Sequence, residues 1–256
     1  YDATVASASV STPYMITGTY TGNATDNRAI TVGFQPDVVI VKEITEQRTA
    51  VIRTSIMSGD VSKFMNAAAN MNADEIQSLD ANGFTVGTGT RVNNASPNVY
   101  VWAAFKASDG VLTVGSYTGN GTSQAITGAG FSPELVYVLG PNGVEAQFRT
   151  STDSNTYGFD SAGATANGVT ALDSDGFTVG SDATVNTNAS VYYYVAWNEV
   201  PGLMDVGSYN GTGADNRNIT GVGFAPEMAV VRSDATTAEK AAFHLDSHGS
   251  TDDESM

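Results

Sequence analysis

Gly115-Ser116-Tyr117-Thr118-Gly119-Asn120 decides how this chain is read, because the sequence contains it three times. Close copies stand at Gly18-Thr19-Tyr20-Thr21-Gly22-Asn23 and at Gly207-Ser208-Tyr209-Asn210-Gly211, spaced roughly 95 residues apart, the size of one small domain. Each copy joins a short β-forming run to a Gly-Asn or Asn-Gly turn, so each reads as a strand and turn that open a repeat.

Working outward, the companions of this stretch keep one order. In the first repeat Phe34-Gln35-Pro36-Asp37 turns the chain into Val38-Val39-Ile40-Val41-Lys42, apolar on both faces apart from Lys42, which predicts a central strand covered on both sides. Thr49-Ala50-Val51-Ile52-Arg53 is a further strand, and Leu79-Asp80-Ala81-Asn82-Gly83-Phe84-Thr85-Val86-Gly87 folds around a tight turn. Val99 to Phe105 closes the repeat with alternating bulky residues. Residues 56–79 scatter Phe64, Met65, Met71, Ile76 and Leu79 among Asn and Ala, which predicts a helical turn at most.

The second repeat retraces these landmarks. Phe131-Ser132-Pro133-Glu134 answers Phe34 to Asp37, Arg149-Thr150-Ser151 answers Arg53-Thr54-Ser55, and Leu172 to Gly180 answers the Leu79 stretch. Tyr192 to Trp197 supplies the closing strand. The third repeat opens at Met204, continues through Phe224-Ala225-Pro226-Glu227 and Met228 to Val231, and reaches Ala242-Phe243-His244-Leu245. It shows no Gly-Phe-Thr-Val-Gly and no closing aromatic strand.

The expected fold is all-β: tandem β-sandwich repeats, jelly-roll or immunoglobulin-like, at 14–107 and 112–198, with a partial repeat at 204–256. The connector from Lys106 to Val111 is too short for a free linker, which predicts repeats packed end to end. Residues 1–13 alternate small and β-branched side chains and carry no charge after Asp2. They read either as a flexible leader or as a strand that pairs with a sheet edge of a neighbouring molecule. A half-built repeat implies an open edge and an uncovered core, so either the polypeptide continues or the fold is completed from elsewhere.

Composition narrows the function classes. A net charge of −16 and a pI near 4.2, with no run of Lys or Arg, argue against nucleic acid and against charge-driven membrane binding. No apolar run approaches the ~18 residues of a membrane span. The absence of cysteine excludes disulfides, thiolate zinc sites and thiol nucleophiles. Gly, Ser, Thr, Asn and Ala fill the polar surface, a composition expected of secreted or virion proteins.

Several residues qualify as candidate sites. Asp173 and Asp175, with Asp182 nearby, offer the oxygens a calcium ion takes, while Asp-Gly turn chemistry alone also accounts for them. His244 and His248 flank Asp246 at helical zinc spacing, but Gly249-Ser250 and the register against Arg149 place them on a strand end and loop, where a zincin site does not form. Tyr100, Trp102, Tyr192, Tyr193, Tyr194 and Trp197 are candidate sugar-stacking residues, with strand alternation sending about half of them into the core. Arg53 and Arg149 recur where most positive charge is missing, which predicts one salt bridge per repeat. Asn-x-Ser/Thr sequons stand at Asn23, Asn94, Asn120, Asn188, Asn210 and Asn218; Asn23 and Asn120 occupy the same exposed turn and, with Asn210 and Asn218, are the candidate glycosylation sites.

As an ordered set, these landmarks resemble the uncharacterised repeated domain of tail-fibre and other virion proteins of environmental, especially marine, bacteriophages. The resemblance covers nearly the whole chain after Pro13. It implies a β-sandwich module with a structural or adhesive role and brings no catalytic residues. The expectation is a non-enzymatic extracellular protein on a virion or cell surface, a fibre or filament subunit that partners with itself and needs no cofactor except a candidate calcium ion. The alternative is an adhesin that binds surface glycans.

Overall fold

Runs of β-branched and aromatic residues, cut every few positions by Gly, Asn and Asp, leave no segment able to sustain a long helix. The computed structural model describes residues 14–246 except 47, 95–96, 142, 161–162 and 235–239. The predicted N-terminal segment, residues 1–13, and His248 lie outside the described residues.

Copy one contains β1 (Met15–Thr21), β2 (Arg28–Thr31), β3 (Val38–Glu43), β4 (Val51–Thr54), β5 (Lys63–Phe64), β6 (Ile76–Asp80), β7 (Gly83–Val86), the single turn α1 (Thr90–Asn93) and β8 (Val99–Phe105). A five-stranded sheet in the order β1-β8-β3-β4-β5 lies against a three-stranded sheet, β2-β7-β6. Copy two repeats this with β9 (Leu112–Thr118), β10 (Gln124–Thr127), β11 (Leu135–Leu139), β12 (Gln147–Thr150), β13 (Tyr157–Gly158), β14 (Val169–Asp173), β15 (Gly176–Val179), α2 (Ala183–Asn186) and β16 (Val191–Trp197). Its sheets run β9-β16-β11-β12-β13 and β10-β15-β14. Both copies are β-sandwiches.

The closing strand is central. β8 lies between β1 and β3, pairing Trp102 with Gly18 and with Val41, and β16 lies likewise between β9 and β11. Its two faces serve two cores. Tyr100, Trp102 and Ala104, with Val39 and Val41 of β3 beside them, point toward the small sheet and meet Phe84 there. Val101, Ala103 and Phe105 point the other way. Copy two divides in the same manner, with Tyr192, Tyr194 and Ala196 on the inner face and Val195 and Trp197 on the back.

The back faces meet each other. Val38, Ile40, Ile52, Ala103 and Phe105 of copy one share a single buried core with Tyr137, Leu139, Phe148, Phe159 and Trp197 of copy two. Phe105 and Trp197, at equivalent positions, stand edge to face at 6.0 Å. The copies therefore pack back to back, which corrects the expected end-to-end stacking. A central strand with two apolar faces must cover both, and each apolar side chain so buried contributes about 1.5–3 kcal/mol.

Among the described residues the third copy supplies only a hairpin, β17 (Met228–Val231) with β18 (Ala242–Leu245). These strands match β3 and β4 in register, and Phe243, Leu245, Met228 and Val230 join the same shared core. The predicted helical turn within 56–79 is absent among the described residues, where β5 and the Ser62–Asn72 bridge stand instead. The helical turns are α1 and α2. There Val92 and Val185 plug the sandwich cores while the turns redirect the chain into the closing strands.

Candidate functional site

The feature that joins chemistry to architecture is the junction of the three copies. Equivalent backbone bonds link one copy to the next: Ala146 N–H donates to Met65 C=O at 3.2 Å, and Ala241 N–H donates to Phe159 C=O at 3.1 Å. Tyr14, Val111 and Leu203, each immediately before its copy's opening segment, line one shallow depression with Lys106, Ala107 and Ser108. β18 also touches β8. The copies are thus arranged around a common axis, like the subunits of a trimer carried on one chain.

Polar groups pin this junction. Lys63 is fully buried, and its Nζ donates to Ala69 C=O in copy one and to Pro141 C=O (3.2 Å) and Val144 C=O in copy two. Burial lowers its pKa to about 8, with Glu145 acting in the opposite direction. Burial and a hydrogen bond with Asp160 push the Glu145 carboxyl above the usual carboxylate range. From copy three, Arg232 Nε donates to Gly158 C=O at 3.2 Å, and its guanidinium sits 5.6 Å from the centre of the Tyr157 ring.

The repeated Gly-Thr/Ser-Tyr-Thr-Gly-Asn stretch is a clasp on the helical turn. Tyr20 Oη donates to Val92 C=O at 2.6 Å and Tyr117 Oη donates to Val185 C=O at 2.5 Å. Each tyrosine stacks on the closing strand, Tyr20 on Tyr100 at 5.1 Å and Tyr117 on Tyr192 at 5.3 Å. The buried Asn93 and Asn186 complete the clasp: their Oδ1 atoms accept from Asn23 N–H at 2.9 Å and Asn120 N–H at 2.8 Å. Asn93 Nδ2 donates to Thr25 C=O and Gly87 C=O, and Asn186 Nδ2 to Thr122 C=O and Gly180 C=O. These two asparagines were missed in the sequence reading, although Val-Asn recurs at 92–93 and 185–186 at the same distance after each Gly-Phe-Thr-Val-Gly.

The candidate calcium ligands are not brought together. Asp173 Oδ2 accepts from Thr178 Oγ1 at 2.8 Å, and Asp175 Oδ1 accepts from Gly130 N–H at 2.7 Å. Asp182 caps α2 by accepting from Thr184 N–H at 2.8 Å. Among the described residues no group of three or more His, Asp or Glu side chains could hold a metal ion. Asp173 and Asp182 instead close their own turns, and Asp175 ties the β14–β15 turn to the loop at Gly128 and Gly130. His244 pairs with Ala229 on β18, in the register that Val39–Arg53 and Val136–Arg149 occupy, as its alignment with Arg149 predicts.

Two further expectations are corrected. Arg53 donates to the carbonyls of Val61, Met57, Gly59 and Ile76, and Arg149 Nη1 donates to Val169 C=O at 2.8 Å. Their hydrogen-bond partners are backbone oxygens in place of a carboxylate, so each arginine ties the large sheet to the small one. Burial lowers both pKa values, while Asp60 and Asp80 near Arg53, and Asp153 and Asp173 near Arg149, act the other way. Of the six aromatic residues considered for sugar stacking, Tyr100, Trp102, Tyr192, Tyr194 and Trp197 are buried and Tyr193 packs against the shared core. Alternation does not expose half of them, because both faces of the closing strand are covered.

Asn23, Asn120, Asn210 and Asn218 are all exposed. In copy one the buried Glu75 carboxyl lies 3.8 Å from Arg91 and is pushed by burial from 4.5 to about 7. No helix among the described residues is long and apolar enough to cross a membrane.

Fold and junction define a tandem β-sandwich repeat protein whose copies share one core. The chain belongs to the family described as "Domain of unknown function (DUF7483)", whose model matches it twice, over residues 10–116 and 106–202. Both matches include 106–116, the stretch that leads from one closing strand into the next opening strand. No curated protein and no solved structure matches the chain.

Proposed function

We propose that this protein is a non-enzymatic structural module of an extracellular fibre, on a virion or a cell surface, that works by assembly rather than turnover. One observation carries the reading: the domain presents an apolar sheet back, and all three copies bury that back in one core. A domain whose second face is completed by another copy of itself is built for repetition along a chain or between chains. The resemblance to virion-fibre domains supports the same role, and the exposed sequons at Asn23, Asn120, Asn210 and Asn218 are candidate glycan sites on its surface.

Electron microscopy of the native material tests this directly. Fibres or virion appendages with a regular axial repeat are the expected result, and intact-mass analysis of the same sample reads glycan at the sequons. Dispersed single particles in native material, with no higher assembly at any concentration, overturn the proposal.

A further inference from the structure

The repeated opening stretch changes at one position. Copies one and two place Thr21 before Gly22 and Thr118 before Gly119, whereas copy three places Asn210 before Gly211. An asparagine followed by glycine sets an electrophilic side-chain amide carbon beside a backbone nitrogen that no neighbouring side chain shields. Whether the two atoms meet depends on what holds that nitrogen.

In the first two copies it is held. Gly22 N–H donates to Asn98 C=O and Gly119 N–H donates to Ser190 C=O, each at 2.8 Å. A Cβ at either glycine would overlap a carbonyl oxygen, that of Asn94 or Thr187, so the backbone has no room to turn. Gly211 is in the opposite state. Asn210, Gly211 and Thr212 are exposed, and a Cβ at Gly211 would meet nothing within 4 Å. Among the described residues neither the Asn210 side-chain amide nor the Gly211 N–H has a hydrogen-bond partner. The Asn210 C=O is engaged, by the Arg217 guanidinium that lies 5.2 Å from the centre of the Tyr209 ring.

The other Asn-Gly pairs whose asparagine is described are restrained. Gly121 N–H donates to Asn186 C=O at 3.0 Å, and Asn120 Oδ1 accepts from Thr122 N–H at 2.8 Å. Asn82 C=O accepts from Val32 N–H at 2.9 Å, and Gly83 is paired with Thr31 in the small sheet. Asn167 C=O accepts from Asp182 N–H at 3.1 Å, and Gly168 is packed against Thr156.

We propose that Asn210 is a self-modification site, converting to aspartate and isoaspartate through a succinimide formed with Gly211. The Gly211 nitrogen bonds to Asn210 Cγ and the Cγ–Nδ2 bond breaks, with the proton from the Gly211 nitrogen leaving on ammonia. Water then opens the ring at either carbonyl and leaves a carboxylate and a proton. Opening at the backbone carbonyl reroutes the chain through Cβ. The oxygen that Arg217 binds then belongs to a carboxylate, and a bond to a neutral acceptor becomes an ion pair. Nδ2 is also the atom a glycan would occupy in the sequon Asn210-Gly211-Thr212, so glycosylation and conversion exclude each other. The inference does not depend on the fibre role.

The full chain, produced without glycosylation, is incubated in mildly alkaline buffer with a parallel sample in urea. Peptide mapping by mass spectrometry follows each asparagine, and an isoaspartate-specific methyltransferase reads the rerouted backbone. In the native chain Asn210 is expected to convert at least about tenfold faster than Asn82, Asn120 and Asn167, and in urea the four rates should come together. Gly211→Ala, which has room for its methyl group, should suppress conversion at Asn210 in the folded chain. Native Asn210 that stays intact, or converts no faster than the other three, overturns the proposal. So does a Gly211→Ala variant that converts as fast as the parent.

Discussion

Copies one and two bury both faces of their large sheets, whereas copy three buries one. Phe243 and Leu245 reach the shared core, but Val231 on the opposite face is 42 % exposed, and residues 205–223 lie almost wholly on the surface. The difference follows from strand order rather than from poor local sequence. Tyr209 and Arg217 stand 5.2 Å apart as Tyr20 and Arg28 stand at 5.0 Å, and each arginine donates to the equivalent carbonyl, Asn210 or Thr21. Asn216 and Asn27 share a positive φ, 53° and 55°, beside Asp215 and Asp26, which accept their N–H groups. The turn is the same in both places. In copy one, where β8 lies beside the opening strand, the turn is converted into sheet.

The largest test of this contrast removes a matched phenylalanine. Phe148→Ala, in the shared core of copy two, is expected to lower global stability by about 3–5 kcal/mol in urea titrations. Phe243→Ala removes the equivalent ring and is expected to act mainly on β17 and β18, read as faster amide exchange there with a much smaller global change. Equal global losses would show that copy three is as integral to the fold as copy two.

Matched glycines come next. A Cβ at Gly119 would overlap the Thr187 carbonyl oxygen, while one at Gly211 would meet nothing within 4 Å. Gly119→Ala is therefore expected to cost about 2 kcal/mol and Gly211→Ala under about 0.5 kcal/mol in the same titration.

Glu75 sharpens the comparison from the side of pH. Its folded pKa, about 7, is raised above 4.5, so the folded state holds an extra proton between those values. Stability should fall as pH rises through that window, by up to about 3 kcal/mol, and the cost should be complete above pH 7. Glu75→Gln should reduce the slope of thermal midpoint against pH, leaving the part that Glu145 contributes. Copy two has Gly168 at this place, and its own slope in this window comes from Glu145, which burial and Asp160 raise to about 7. Arg232→Ala is expected to cost about 1 kcal/mol, confined to the docking of the β17–β18 hairpin and read as local exchange.

Much of this fold was legible because its signals are local. The strand β8 matches the predicted closing run from Val99 to Phe105, and the apolar run at Val38 is central, as its two-sided hydrophobicity implies. The sandwich class and the tandem repeats followed from turn chemistry and period. The candidate site was less legible. Asp173, Asp175 and Asp182 have the right oxygens for calcium, but whether such oxygens converge depends on loops far apart in sequence, and here Asp173 and Asp182 serve their own turns while Asp175 is taken up by the backbone of the Gly128–Gly130 loop. Arg53 looked like half of an ion pair because a lone cation in an acidic chain suggests a carboxylate, yet a fan of carbonyls satisfies it.

By itself the sequence determined the strands, the turns and the repeat, since alternation, Gly-Asn chemistry and tyrosine–arginine contacts act over fewer than about ten residues. Tertiary structure decided what the second face of each large sheet is for. Apolar residues at Val101, Ala103 and Phe105 require a cover but do not name one. Back-to-back packing around a shared axis supplied it, and the same packing seats the β17–β18 hairpin on that core.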